Sequence, residues 1–260
     1  MQRLLHILRP NSRRGARKNI HAHYDLGNEF YNQWLDPSMT YSSARFRSPR
    51  MSLEDAQWEK YRSLAQSIDL RAEHHVLEIG CGWGGFAEFA AREIGCQVTG
   101  ITISNEQLVY AQNRIKDKGL ANKVNLKFTD YRDINEQFDR IVSIEMFEAV
   151  GEKYWSTYFN QLQNCLKPGG KAGLQIITID NKRFKSYRKR TDFIQKYIFP
   201  GGMLPSPERL SDAFVDANLE PIGQSDFGVD YADTLAQWCE TFLDKWDNIS
   251  KLGFDTRFRR

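Results

Sequence analysis

The sequence lacks the features of several protein classes. No apolar run approaches the roughly 20 residues that a membrane-spanning helix needs, and the apolar stretch near the N-terminus is too short for a signal peptide. Four cysteines, Cys81, Cys96, Cys165 and Cys239, are scattered without the spacing of a metal site. We therefore expect reduced thiols in a cytosolic protein.

Clusters of histidine with cysteine or acidic residues are missing as well. His21 and His23 lie close together near the N-terminus, but no second group of ligands accompanies them. We expect both to be structural residues or polar residues of a lid, and we predict no metal site.

The net charge is small, at +3, but it is unevenly distributed. Six positive charges between Arg3 and Lys18 precede the first acidic residue, Asp25, so the rest of the chain is slightly negative. We interpret residues 1–19 as a basic leader that favours an anionic surface, such as that of a membrane. A solvated leader without a partner is an equally weighted alternative.

From residue 75 onward, predicted strands alternate with predicted helices in the way that is typical of a parallel sheet. The strands are 75–79, 97–103, 124–128, 138–144 and 171–179, and the helices are 53–68, 84–94, 104–118, 154–165 and 208–217. This order predicts an α/β fold with a Rossmann-like, doubly wound, mostly parallel sheet. We expect the aromatic-rich segment before the sheet to form an N-terminal helical lid, and residues 180–205 to be an insertion.

The most informative stretch is the turn after the first strand. Val76, Leu77 and Ile79 run into four glycines between Gly80 and Gly85. Glycines adopt positive φ and let the backbone approach a ligand, and the free N–H groups of the following helix face that ligand. The pattern predicts a nucleotide-like ligand at the first βα turn of a doubly wound sheet. A tight turn without a ligand is the alternative.

The same stretch resembles motif I of the S-adenosylmethionine-dependent methyltransferases, E-x-G-x-G-x-G, which here runs from Glu78 to Gly84. The resemblance implies a class I methyltransferase fold with S-adenosyl-L-methionine as the cofactor. The second strand has no acidic residue at its tip, so Thr102 and Gln107 are expected to serve the ribose hydroxyls. The complete predicted cofactor set is Tyr41, Ser42, Glu78, Gly80, Gly82, Gly84, Thr102, Gln107, Asp130 and Tyr131.

A larger set of strings resembles the cyclopropane-fatty-acyl-phospholipid synthase family, which includes the mycolic acid cyclopropane synthases. The strings follow one another between residues 19 and 246. They include His23-Tyr24-Asp25-Leu26-Gly27-Asn28, Tyr41-Ser42, Glu78 to Gly85, Gly100 to Ser104, Met146-Phe147-Glu148, Lys196 to Gly202 and Asp230 to Leu235. The resemblance implies an enzyme that modifies the double bond of an unsaturated fatty acyl chain of a phospholipid, with the inserted segment 180–205 at its lipid site.

In that family the alkene attacks the methyl group of S-adenosylmethionine and a carbocation remains on the acyl chain. A bound bicarbonate is thought to remove a proton before the ring closes. Such a site must exclude water, and aromatic faces can stabilise a passing cation. Aromatic residues of the right kind, which could equally be plain core residues, are Tyr24, Phe30, Tyr41, Phe147, Tyr197, Phe199 and Tyr231.

The resemblance implies three catalytic residues, Glu148, Tyr231 and Ser43, the last where the family has a cysteine. The family's histidine falls on Ile177, with Gln175 nearby. Ser43 can donate a hydrogen bond but the Ile177 side chain cannot, so bicarbonate stays an open question. A cation without a well-placed base would lose its proton elsewhere. A cyclopropane and a methyl-branched or methylated unsaturated chain are therefore nearly equal expectations.

An acyl substrate in a bilayer implies a cytoplasmic enzyme that is peripheral to the inner face of the cell membrane. Basic residues of the leader and of 183–190 fit an anionic membrane surface, and the aromatic spacing argues against nucleic acid. We expect residues 20–260 to form the catalytic domain; its possible truncation at the C-terminus and its oligomeric state stay open. The alternatives are a small-molecule methyltransferase with a polar acceptor and an inactive cofactor-binding remnant.

Overall fold

The computed structural model describes residues 11–13, 15–16 and 26–259. Its centre is a five-stranded sheet in the order β3-β2-β1-β4-β5, in which all neighbouring strands are parallel. The strands are β1 (His75–Ile79), β2 (Gln97–Thr102), β3 (Val124–Phe128), β4 (Phe138–Ile144) and β5 (Leu166–Gln175). The predicted doubly wound sheet is confirmed. Its strand order reverses between β1 and β4, which is where such sheets bind ligands.

Most of the predicted basic leader lies outside the described residues, as do His21, His23 and Tyr24. Arg13, which is described, pairs with Asp133 beyond β3. In the part of the chain that the structure describes, no helix is both long and apolar enough to cross a bilayer.

The last strand differs from its prediction, which placed it at 171–179. β5 begins earlier because Leu166 already pairs with Phe138, and a register shift before the Arg140–Lys171 pair accommodates the Pro-Gly-Gly sequence. It ends at Gln175 because the chain then leaves the ladder: the N–H of Ile177 donates to a side chain, the Oε1 atom of Glu148. This departure brings residues 175–177 to the carboxyl end of β4.

Helices cover both faces of the sheet, and the five helices that were predicted lie within one residue of their predicted bounds. Ser52 and Ser104 act as N-caps, since their hydroxyls accept the N–H groups of Asp55 and Gln107. The helices are α1 (Asn28–Tyr31), α2 (Leu53–Ser67), α3 (Gly85–Phe89, continued by a π-helical turn over Ala90–Ile94), α4 (Asn105–Asp117), α5 (Trp155–Cys165), α6 (Asn181–Tyr187), α7 (Pro207–Asp216), α8 (Gly228–Asp244), α9 (Trp246–Lys251) and α10 (Thr256–Arg259).

Two hydrophobic cores follow from the alternation of side chains along the strands. Val76 of β1 packs in one core with residues of α2, α3 and α4. Its neighbour Leu77 points to the opposite face and packs in a second core with residues of α5 and α7. Because both faces of the sheet are covered, only the strand ends remain available to a ligand.

A third cluster, which we call the aromatic roof, comprises Phe30, Tyr31, Trp34, Tyr41, Trp83 and Trp238. It joins the segment before α2 to the glycine turn and to α8. The rings of Tyr31 and Trp83 have centroids 5.0 Å apart, and those of Trp34 and Trp238 are 5.6 Å apart. The part of the roof that precedes α2 is the predicted N-terminal lid, and the helix described in that part is the four-residue α1.

Candidate functional site

One large cavity, of about 1020 Å³, lies at the carboxyl ends of the strands. The glycine turn and the ends of β1, β2 and β4 form its floor, and the aromatic roof covers one side. Residues 194–204 and α8 supply a mostly apolar wall. Of the predicted site residues, all line the cavity except Ser43 and Gly84.

The glycine turn has the backbone that its sequence predicts. Gly80 has φ +83°, and a Cβ placed on it would lie 2.8 Å from Cγ of Met146. Gly82 has φ +51°, and a Cβ there would meet nothing within 4 Å, so its backbone faces open space. Gly84 instead packs on α4, where a Cβ would approach Ala111 to 3.1 Å. Its predicted contact with the cofactor stays a prediction.

Glu78 is buried beneath this turn and lines the cavity. Its Oε2 atom is inaccessible to solvent and has no hydrogen-bond partner among the described residues. Burial raises the pKa of its carboxyl well above the ordinary range, while Arg114 and Lys60 act in the opposite direction. An unpartnered buried carboxyl of this kind fits a ligand that carries an ammonium group.

The polar residues at the end of β2 form hydrogen bonds with one another. The Thr102 hydroxyl donates to Oε1 of Gln107 over 3.1 Å and accepts the N–H of Ser104. The Gln107 amide nitrogen makes no hydrogen bond with described residues and remains available to a ligand. Thr102 therefore positions Gln107, and the two act as one unit at the end of β2.

Asp130 forms a bidentate ion pair with Arg132, with distances of 2.8 Å to Nε and 2.6 Å to the terminal nitrogen. Both oxygens of its carboxylate therefore accept hydrogen bonds within the loop after β3 and stabilise that loop. Burial raises the pKa of the neighbouring Tyr131 to about 12, so its phenol is neutral where it lines the cavity. Arg132, which follows them in the sequence and was not assigned to the predicted cofactor set, also lines the cavity.

Two glutamates follow β4, and the structure brings both to the cavity. Glu145 Oε1 accepts the N–H of Ser43 at 2.9 Å and the Gln175 amide at 2.8 Å. Glu148 Oε1 accepts the N–H of Ile177 at 2.5 Å, and its Oε2 is buried without a partner among the described residues. Burial, reinforced by the charge of Glu145, raises the pKa of Glu148 to about 8.

The remaining predicted residues surround this pair. The Ser43 hydroxyl donates to the carbonyl of Ala44, so this residue offers the pair its backbone N–H rather than its side chain. Tyr231 lines the cavity, and burial raises the pKa of its phenol, with the charge of Glu145 acting in the same direction. The ring of Tyr41 lies 5.4 Å from that of Trp238 in the roof. Ser42 accepts a hydrogen bond over 2.6 Å from Lys60, a buried lysine.

Three polar residues of this site were overlooked or underrated from the sequence. Lys60 lies on the inner face of α2, in step with Ala56 and Leu64, which was a readable signal. Glu145 directly precedes the string Met146-Phe147-Glu148 and was given no role. Gln175 stood beside the position of the family's histidine, and its amide reaches Glu145, whereas Ile177 contributes only its backbone N–H. Within the described residues, no three potential metal ligands come together.

Glu148 makes the stability of the protein depend on pH in a predictable way. The folded protein keeps a proton on this carboxyl between its ordinary pKa of 4.5 and about 8, and the unfolded chain does not. The facing groups are Glu145, whose charge raises this pKa, and Tyr158 and Tyr231, whose phenols are neutral in this range. Stability from this group is therefore complete below the lower value and is lost as pH rises through the higher one, by at most about 1.4 kcal/mol per pH unit.

We expect Glu148→Gln to remove this dependence. The unfolding free energy of the variant relative to the unmodified protein should increase as pH rises from 5 to 8. Urea denaturation across that range measures it, with Glu208→Gln, an exposed residue of α7, as the control. Parallel pH curves for Glu148→Gln and the unmodified protein would contradict the prediction.

Comparison with known proteins places this chain and its sequence relatives in one family. A family model described as mycolic acid cyclopropane synthetase matches residues 11–260. The tuberculostearic acid methyltransferase UfaA1 of Mycobacterium tuberculosis is 38% identical over an alignment of 277 positions, gaps included, that covers 99% of this chain and 65% of that protein. The cyclopropane-fatty-acyl-phospholipid synthase of Escherichia coli K12 is 41% identical over 243 residues, 92% of this chain and 59% of that protein. The chain thus spans less than two thirds of the length of these relatives.

Solved structures agree with the sequence relatives. The mycolic acid cyclopropane synthase CmaA1 complexed with SAH and CTAB superposes with a TM-score of 0.87 at 27% identity, covering 93% of this chain and 88% of that one. A coclaurine N-methyltransferase, at 20% identity and a TM-score of 0.72, shares the fold.

Proposed function

Since the chain belongs to the mycolic acid cyclopropane synthetase family, we propose that it transfers a methyl group from S-adenosyl-L-methionine to the double bond of an unsaturated fatty acyl chain of a phospholipid. The product is a cyclopropane or a methyl-branched acyl chain. The observation that carries this proposal is a single cavity that joins a glycine turn with an unpartnered buried acid to an apolar wall, with a carboxyl pair lining it as well.

The turn end of the cavity suits S-adenosylmethionine. Glu78 would bind its ammonium group, and the open space beside the backbone of Gly82 leaves room for its amino-acid part. The free amide of Gln107 would donate to a ribose hydroxyl, and Tyr131 would lie beside the base. When bound, the cofactor supplies a methyl carbon that its positively charged sulfur makes electrophilic.

The opposite wall suits an acyl chain. The wall is lined by Ile198, Phe199, Met203, Leu204 and Leu235, together with Ile194 and Tyr197 of the exposed segment 193–197. Tyr231 and Tyr41 add aromatic faces that can stabilise a transient cation. The same apolar surroundings exclude water, which would otherwise trap that cation as an alcohol.

We assign the carboxyl pair and its neighbours to the chemistry of the acyl chain. Below its pKa of about 8, Glu148 is a neutral acid that can donate a hydrogen bond from Oε2. Tyr231 stays protonated and presents a neutral hydroxyl and a ring. Ser43 holds the pair in place through its N–H.

The test is mass spectrometry of phospholipids incubated with the full chain and S-adenosylmethionine. Monounsaturated phosphatidylglycerol should gain one CH2 unit, while its saturated counterpart, the matched control, should not. Resistance to mild hydrogenation then distinguishes a ring from a methylated alkene. An unchanged mass would overturn the proposal. If calorimetry still showed cofactor binding, the result would favour a polar acceptor, and binding of neither the cofactor nor its demethylated product would favour the remnant.

We further propose that the enzyme works at an anionic membrane surface on the cytoplasmic side. Phe193, Ile194 and Tyr197, here called the apolar patch, are 65%, 50% and 58% exposed. Lys189, Arg190 and Lys196 adjoin them in sequence, so cationic groups flank exposed rings. Ile194 and Tyr197 also line the cavity, and the patch is therefore a route by which an acyl chain can enter.

Replacing both rings of the patch, Phe193→Ser with Tyr197→Ser, should reduce flotation with phosphatidylglycerol vesicles by at least about 10-fold, because each buried ring is worth about 1.5–3 kcal/mol. High salt should weaken binding of the unmodified protein as well. Val215→Ser with Val229→Ser, which removes equally exposed apolar side chains elsewhere, is the matched control. Equal flotation of the two double variants would contradict the proposal that the apolar patch binds the membrane.

A further inference from the structure

Glu145 has an uncommon backbone conformation for its residue type. Its φ is +47°, in the left-handed region that favours glycine, directly after β4. Such strain persists only where the surrounding structure fixes it, and it is often found at functional sites. The strained turn is what directs the carboxylate of Glu145 to the cavity rather than into the following 3₁₀ turn (Phe147–Ala149).

Two donors hold this carboxylate from different parts of the chain. The N–H of Ser43 and the side-chain amide of Gln175 both donate to Oε1, and the same amide also reaches the Ser43 carbonyl at 3.1 Å. Oε2 accepts no hydrogen bond from the described residues. One oxygen is therefore fixed, and the other is left for a ligand that offers a proton.

The geometry points to Glu145 as the proton acceptor of the reaction, a base that belongs to the chain and occupies the place of a separately bound bicarbonate. The inference rests on the proposed methyl transfer and names the residue that completes it. The donors that could hold a small carboxylate beside Glu148, Ser43 N–H and the Gln175 amide, are already taken by Glu145. A bicarbonate ion does not fit the same donors while this side chain is in place.

Glu145 is better suited to this role than Glu148. Lys60, a buried lysine of α2, favours the ionised form of Glu145, although burial raises the pKa of that carboxyl and lowers the pKa of the lysine to about 7. Glu148 has no such cation and is further disfavoured as an anion by Glu145 itself. Two neighbouring carboxyls in different surroundings thus divide into a base and a neutral acid.

The chemistry balances without a further reactant. The π electrons of the alkene form a bond to the methyl carbon as the carbon–sulfur bond breaks and leaves its electron pair on sulfur. The electron-deficient carbon of the acyl chain then takes the pair of a neighbouring C–H bond. A pair from the new methyl group closes a ring, and a pair from an adjacent chain carbon makes a methylated alkene. In both cases the proton passes to the Glu145 carboxylate, which later releases it to water.

The decisive experiment compares the full chain with Glu145→Gln and Glu145→Gly in buffer freed of carbon dioxide. The unmodified protein should turn over at the same rate with and without added bicarbonate. Glu145→Gln should lose about 10²- to 10⁴-fold in rate, the usual contribution of a general base, and bicarbonate should not restore it because glutamine fills the space. A larger share of its product should be the alcohol formed by water.

Glu145→Gly relieves the positive φ and frees both donors. Bicarbonate or formate should restore its turnover, and ¹³C-labelled bicarbonate should bind to this variant but not to the unmodified protein. Asn218→Gly, an exposed residue with φ +53°, controls for the backbone change alone and should behave like the unmodified protein.

The outcomes separate the two proposals. Methyl transfer that needs bicarbonate in the unmodified protein, bicarbonate binding to it, or full activity of Glu145→Gln would each overturn the role of Glu145 and leave the proposed function intact. An unmodified protein that transfers no methyl to lipid would overturn the proposed function. In that case bicarbonate binding still decides whether Glu145 occupies the site of the ion.

Discussion

Replacing Glu78 with glutamine is expected to weaken S-adenosylmethionine binding by about 10- to 100-fold and to raise the melting temperature of the ligand-free protein. The first effect follows because a hydrogen bond to a charged group is worth about 1.5–3 kcal/mol. The second follows because the Glu78 carboxyl is buried, and its Oε2 has no partner among the described residues. A neutral amide avoids the cost of keeping an acid in that position.

Calorimetric titration measures the affinity and differential scanning calorimetry the melting temperature. Glu73→Gln, which lies exposed just before β1, is the matched control and should change neither quantity. The opposite signs of the two effects exclude a loss of binding through unfolding. Unchanged affinity in Glu78→Gln would show that the ammonium group binds elsewhere.

Replacing Glu88 with alanine is expected to destabilise the protein by about 3–5 kcal/mol, the usual cost of removing one partner from a buried ion pair. The Glu88 side chain is 2% exposed, and its two oxygens pair with Arg92 at 2.9 Å and with Arg114 at 2.6 Å. Arg114 is itself only 12% exposed and donates to the carbonyl of Ser38. Without Glu88, this arginine would be a buried charge with no acid beside it.

Urea denaturation of the ligand-free protein checks this value. The control is Glu93→Ala at the end of the same helical segment, whose side chain is 45% exposed and also pairs with Arg92. Exposed pairs contribute about 0–1 kcal/mol, so the two variants should differ clearly. Similar losses in both would mean that Arg114 finds another partner.

Much of the fold could be predicted from the sequence because local apolar patterns and turn signals agreed with the tertiary packing. β1, β3 and β4 begin and end at the predicted residues, since a short apolar run between turns has little freedom when both faces of a sheet are buried. The end of β5 could not be predicted from the sequence. The chain leaves the sheet there because the N–H of Ile177 donates to Glu148, which follows β4. Periodicity in one segment carries no information about such a partner.

The residues of the candidate site could likewise be predicted only where the signal was local in the sequence. Residues within one turn or strand end were identified from the motif, as with Glu78 and Gly80. Asp130 was identified, but its engagement by Arg132 was not, because two residues in a loop can point anywhere until the loop is built. The partners of Glu145 lie 102 positions before it and 30 positions after it in the chain, so its role becomes visible only in three dimensions.

The aromatic roof also determines how the cavity exchanges its contents. Besides its ring contacts, it is tied down by hydrogen bonds such as Ala44 N–H to the Thr234 hydroxyl, which link segments 190 positions apart and do not belong to the sheet. Because these contacts lie outside the strand ladder, opening the roof would expose the cavity and leave the ladder whole. A ligand that fills the cavity against the closed roof would then stabilise the closed state by mass action.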